Sequence, residues 1–180
     1  MRVVLDTCVL YPTVMREVLL GAARLGHFTP LWSARILEEW ARAARKLGPG
    51  GEAQARGEIA LLRADWPAAE LPAAPGVEAR LWLPDPADLH VLAVAVAGSA
   101  DAILTVNRQD FPRNVLAEEG LERIEPDGFL YGLWLRDPEG LSAVGRRVLA
   151  RANEMDRGGW DIRALMKKAR LPRLGKALAG

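Results

Sequence analysis

Apolar residues along the chain fall into two alternating patterns: short β-branched runs, and longer stretches in which they recur at helical spacing. "RVVL" (2–5) is strand-like and runs into Asp6 and Thr7 at a turn, after which "TVMREVLLGAARLG" carries a helical pattern that Gly26 stops. "FTPLW" (28–32) reads as a second extended piece. Ser33 then caps "ARILEEWARAARKLG", whose Ile36, Leu37, Trp40, Ala44 and Leu47 line one helical face as far as Gly48. "EAQARGEIALLRADW" is a further helix, and "PAAELPAAPG" is a Pro- and Ala-rich connection. In "LPDPADLHVLAVAVAGSADAILTVNRQDFP" (83–112), Asp85 serves as N-cap with Pro86 at the first helical position, and "AILTV" (102–106) is a continuous apolar strand. "NVLAEEG" and "LERIE" repeat helix and strand on a smaller scale; from Pro126 onward the patterns are helical, with no further strand.

Strands alternating with helices predict a parallel sheet covered on both faces. The chain has 180 residues, which suits one full-sized domain with an extension. The expected division is a catalytic region at 1–126 and a basic helical extension at 127–180. Half the residues are hydrophobic, 26% are charged, and no run of eighteen apolar residues occurs, so no membrane partner is expected. The N-terminus enters its strand without a basic region and cleavage site, which points to the cytoplasm. The single cysteine, Cys8, excludes an intrachain disulfide and a multi-cysteine zinc site. The net charge of +1 hides an asymmetry: residues 141–180 carry ten Lys or Arg against three acids, leaving fourteen against twenty in residues 1–140. The basic tail is either a solvated helical surface or a face for phosphates or a partner.

Four acids stand where chemistry is expected. Ligands of open α/β sheets bind beyond the carboxyl ends of the strands, and Asp6 directly follows the first strand. A lone charge there is costly unless it is paired or bound to a cation. Asn107 and Asp110 follow "AILTV" in the same sense, and Glu39 flanks the apolar face of its helix beside Trp40. Asp88 falls at the third helical position after its cap. A carboxylate is favoured there by free N–H groups, so Asp88 is either a capping residue or part of a site. Converging carboxylates suit Mg²⁺ or Mn²⁺, which acidifies a water and offsets charge on a phosphodiester. His90 lies about 200° around the helix from Asp88 and reads as packing. Thr7 and Thr105 either orient a metal-bound water or finish strands, and Arg108 is placed to contact a substrate phosphate. The six tryptophans are scattered, which reads as core and interface rather than a platform for stacking bases.

In order and spacing, "VVLDTCVL", "LWSARILEEW", "DPADLHVLAVAVAGSADAILT" and "TVNRQDFP" resemble PIN-domain ribonucleases, and most of all the bacterial VapC-type toxins, over about residues 1–125. The resemblance implies a three-layer α/β PIN-like fold with a central parallel sheet flanked by helices. It implies a Mg²⁺- or Mn²⁺-dependent endoribonuclease that leaves a 5′-phosphate and a 3′-hydroxyl. Asp6, Glu39, Asp88 and Asp110 would be catalytic; Asp6, Asp88, Asp110 and Asn107 would hold the metal; Thr7, Thr105 and Arg108 would contact RNA. An antitoxin partner and a homodimer also follow from it. The chain departs from the family pattern at Cys8, where Asn is usual, and at Asn107, where Asp is frequent. Asn107 either binds the metal itself or yields to Asp110. The alternative is a PIN-fold module that binds RNA or protein without cutting. An aspartyl phosphotransferase would need a second Asp at position 8, a receiver domain would need a late lysine at a strand end, and neither they nor glycine-rich nucleotide loops are found.

Overall fold

A computed structural model describes residues 1–156 and 158–180. Strand β1 (Arg2–Leu5) lies at the middle of the sheet: Val3, Val4 and Leu5 are each 0% exposed. Consecutive strand residues point to opposite faces, so burial of all three means that both faces are covered. The turn expected after Asp6 is instead a one-turn helix, α1 (Thr7–Leu10). The Asp6 carbonyl accepts from the N–H of Val9 at 3.0 Å and of Leu10 at 3.2 Å, while its carboxylate makes no capping bond and stays available for other partners.

The chain continues through α2 (Thr13–Arg24), β2 (Thr29–Ser33), α3 (Ala34–Ala43), α4 (Gly51–Asp65), β3 (Glu70–Leu71), α5 (Pro75–Glu78), α6 (Leu89–Ala97), β4 (Ala102–Leu104), α7 (Arg113–Glu118) and β5 (Glu122–Ile124). Helices α8 (Pro126–Arg136), α9 (Pro138–Met155), α10 (Ile162–Lys168) and α11 (Pro172–Leu178) complete it. The five-stranded sheet has the order β3-β2-β1-β4-β5, and β1 pairs in parallel with both β2 and β4, with Val4 opposite Leu31 and Ile103. This is the α/β class expected from the strand and helix alternation. The order reverses direction between β1 and β4, which opens a crevice at their carboxyl ends.

Two compact units are formed, Met1–Tyr11 with Thr29–Arg123, and Pro12–Phe28 with Ile124–Gly180. The first holds the sheet. Its β3 lies within the stretch expected to be plain connection, because the edge of β2 pairs with it, Trp32 opposite Glu70 and Ser33 opposite Leu71. Ser33 caps α3 by accepting from the Ile36 N–H at 3.3 Å. Leu47 leaves the apolar face and is 72% exposed, since α3 gives way at Ala44–Leu47 to a 3₁₀ turn whose tighter winding rotates later residues away. Replacing the cap, Ser33→Ala, is expected to cost about 1 kcal/mol, read as a lower urea midpoint with an unchanged slope.

The second unit is helical. Gly21 lets α2 approach α9 closely, since a Cβ there would lie 2.5 Å from Val144 Cγ1. Asp137 caps α9 by accepting from the Gly140 N–H at 2.9 Å, and it also meets His27 Nε2 at 2.9 Å. Among the described residues, no helix is long and apolar enough to cross a membrane.

Candidate metal centre

Four parts of the first unit bring polar groups to the carboxyl edge of the sheet. Asp6 ends β1, and the loop after β4 carries Thr105, Asn107 and Asp110. Helix α3 follows the end of β2 and carries Glu39. Helix α6 runs back from the carboxyl edge to begin β4, so its start, with Asp85 capping and Asp88 ending the preceding 3₁₀ turn Pro86–Asp88, is delivered to that edge.

Asp6 is 6% exposed, and hydrogen bonds hold its side chain in place. Its Oδ2 accepts from the Thr105 hydroxyl at 2.7 Å and from the Cys8 thiol at 2.9 Å. Cys8 thus supplies a donor to this carboxylate where the family pattern has an amide. Burial, together with the charge of Asp6, pushes the thiol up to about 12, so it remains protonated and able to donate. Thr105 Oγ1 in turn accepts from the Asn107 N–H at 3.0 Å, which ties the loop to the strand end.

Glu39 is held from two sides. The Thr7 hydroxyl lies 2.9 Å from its Oε2, and the buried His90 places Nε2 2.8 Å from its Oε1. Burial works against ionisation of Glu39, but His90, Thr7 and Arg35 outweigh it and hold the carboxyl below its usual range. The sequence reading of His90 as packing is right about burial but misses this contact, because the partner sits on another helix.

A tight cluster comprises Asp85, Asp88 and Asp110, each with one carboxylate oxygen within 4.8 Å of those of the other two. Asp85 also caps its turn, accepting from the Ala87 N–H at 2.9 Å, whereas Asp88 makes no capping bond. Asp110 accepts from the Asn107 side-chain amide, which brings both residues to one place. Burial and the charges of Asp6, Asp110, Asp85 and Glu39 push Asp88 up to about 6. Asp6 and Glu39 thus stand near enough to act on Asp88, although they lie outside the tight cluster. Asp85 was read from sequence only as a cap; its spacing of three from Asp88 on a 3₁₀ turn is the signal that aligns the two.

This donor set suits a hard divalent cation. All the donors are oxygens, and the ligand oxygens around Mg²⁺ at about 2.1 Å are separated by roughly 3–4 Å, within a small adjustment of the cluster. Without a counter-charge, neighbouring carboxylates repel, and the raised Asp88 registers that repulsion. Arg108, in the same loop, gives its carbonyl to an Arg123 guanidinium N–H at 2.9 Å.

The fold is thus a parallel α/β sheet with carboxylates gathered at its switch point. A protein-family model described as PIN domain matches residues 2–109, more than half of the chain, and the chain belongs to the PIN domain family, a family of metal-dependent nucleases. The match ends one residue before Asp110. No curated protein and no solved structure matches the chain.

Proposed function

We propose that the chain is a divalent-metal-dependent endoribonuclease that hydrolyses RNA phosphodiesters, with Mg²⁺ or Mn²⁺ held by Asp6, Asp88 and Asp110 and supported by Asn107. The observation that carries this reading is the convergence of Asp85, Asp88 and Asp110 within 4.8 Å beyond a strand end that also bears Asp6. Asp85, beside Asp88 and Asp110, would be a fourth carboxylate available to that ion. A divalent cation bound there supplies charge neutralisation for the phosphodiester and acidifies a water. The chain's own residues do the positioning. Thr105 and Cys8 fix Asp6, Thr7 and His90 fix Glu39, and Glu39, held ionised, is the group suited to accept a proton from the attacking water. Thr7 and Arg108 stand near enough to the strand ends to meet the substrate backbone, whereas Thr105, expected to contact RNA, is fully buried with its hydroxyl engaged by Asp6 and the Asn107 N–H.

Residues 1–126 form the catalytic region in this reading and 127–180 a basic extension. The role of toxin in a type II toxin–antitoxin pair, a cytoplasmic location, an antitoxin partner and a homodimer rest on the resemblance to VapC-type proteins. The positive balance of residues 141–180 supports either an RNA backbone or an acidic protein as that extension's partner.

The test is incubation of the purified chain with labelled structured RNA in Mg²⁺, in Mn²⁺ or in EDTA. Cleavage with either ion that stops in EDTA is expected. Cleavage undiminished by EDTA overturns the metal-dependent reading, and tight RNA binding without any cleavage assigns the chain to a binding module.

A further inference from the structure

The tryptophans are dispersed along the sequence, yet Trp134 pairs with another aromatic ring and shares a pocket with two basic side chains. Tyr131 and Trp134 stand three residues apart on α8, with ring centroids 6.1 Å apart and planes 14° from parallel. From α11, the Arg173 guanidinium lies 4.8 Å from the centre of the Tyr131 ring. Lys176, one helical turn further, completes the open pocket of about 390 Å³ that these four residues line with Ala177. All of it lies within the second unit.

The pocket is positioned rather than incidental. Asp127 of α8 accepts from the backbone N–H groups of Arg173 and Leu174 at 3.1 Å, which fastens the first turn of α11 against α8. The Trp134 indole N–H donates to Ser142 Oγ at 3.4 Å and sets the plane of its ring. The nearby carboxylate is thereby engaged by backbone donors, and Lys176 has no acidic partner among the described residues. Elsewhere the chain treats basic side chains differently: in the first unit Arg42, Arg45, Arg56, Arg63 and Arg80 each sit against a glutamate. Stacked aromatic faces flanked by cations without carboxylate partners are what a single-stranded nucleic acid requires, because each unpaired nucleotide offers a π-face and a phosphate together. A duplex hides its base faces and does not suit such a pocket.

We propose that the Tyr131–Trp134–Arg173–Lys176 pocket is a subsite for one unpaired nucleotide of the RNA substrate, its base stacked on the aromatic pair and its phosphate held by Lys176 with Arg173. The inference rests on the ribonuclease reading and names a feature of its substrate, a single-stranded segment.

The experiment uses the full chain carrying Asp88→Asn, so that RNA is bound and not cut. A labelled single-stranded oligoadenylate of about ten nucleotides, a length within the range of single-strand sites, is titrated by anisotropy while tryptophan fluorescence is followed. Stacking is expected to quench the fluorescence. Trp134→Ala is expected to weaken binding about tenfold and remove the quench, while Trp134→Phe keeps affinity within about twofold. Lys176→Glu, which leaves the helix packing untouched, is expected to weaken binding and lower the salt slope by about one. Unchanged affinity in both Trp134→Ala and Lys176→Glu overturns the subsite. Free AMP that quenches as strongly as the oligomer at equal concentration assigns the pocket to a free nucleotide, and loss of a dimer with unchanged RNA affinity assigns it to a second copy; either result overturns the RNA subsite. These failures are separable from failure of the ribonuclease reading, which shows instead as absence of RNA cleavage by the unsubstituted chain.

Discussion

Asp88→Asn and Asp6→Asn are each expected to lower cation-dependent RNA cleavage at least a hundredfold while leaving the fold intact. The two variants lose function for a shared reason, removal of one negative charge from a site that must hold a divalent cation. Removing a residue that merely orients a metal ligand costs about 10–100-fold, so losing a ligand costs more. Their structural consequences differ. Asp6 is nearly buried and accepts from Thr105 and Cys8 through one oxygen, which the amide oxygen of Asn can replace. Asp88 makes no capping bond and sits among acids that repel it. Asp88→Asn is therefore expected to raise the melting temperature of the metal-free protein, by about 2–4 °C for each kcal/mol of repulsion relieved. Cleavage by both variants at the unsubstituted rate, measured with the same RNA and ion, refutes the assignment. A fall in the metal-free melting temperature of Asp88→Asn refutes the repulsion argument alone.

The second large effect is on metal affinity as a function of pH. Asp88 is pushed up to about 6 by burial and by the surrounding acids, so below that value it binds a proton that a cation must displace. Apparent Mn²⁺ or Mg²⁺ affinity is expected to fall about tenfold between pH 7 and pH 5, as one displaced proton dictates for a group titrating near 6. Stability of the metal-free chain runs the other way. A carboxyl whose folded value lies above its unfolded one favours the folded state at low pH and loses that contribution as pH rises through about 6. Calorimetric titration with Mn²⁺ at the two pH values reads the first effect, and thermal unfolding in EDTA reads the second. Flat affinity across that interval removes Asp88 from the ion. In Asp88→Asn, any remaining binding should lose this pH dependence.

Much of the architecture could be read locally. The strand "RVVL" with an acid at its end and the Ser33 cap each express a preference carried by a few neighbouring residues and are found in place, while Asp85–Pro86 opens a 3₁₀ turn, the α-helix itself starting at Leu89. What was missed depends on partners distant in sequence. The two-residue strand Glu70–Leu71 exists because β2 offers an edge to pair with. His90 was judged by its angle from Asp88 on its own helix, and that angle says nothing about Glu39 on α3. Asp85 was read as a cap, which it is, but its place among Asp88 and Asp110 needs the loop after β4 to arrive beside it. Trp134 and Tyr131 stand three residues apart on α8, but only the packing of α11 against that helix brings Arg173 and Lys176 to the same pocket.

By itself the sequence determined the class of fold, the strand ends at which polar groups would gather, and the acids available to gather there. Those properties follow from periodicity, capping and the cost of burying a charge, all of which act over a few residues. Only the tertiary structure decided which acids share a space. It joined Asp85 to Asp88 and Asp110, gave Asp6 to Thr105 and Cys8, and set Glu39 between Thr7 and His90. The physical reason is that a parallel sheet is assembled from strands far apart in the chain, and the electrostatics of each carboxylate depend on distances that no stretch of sequence contains.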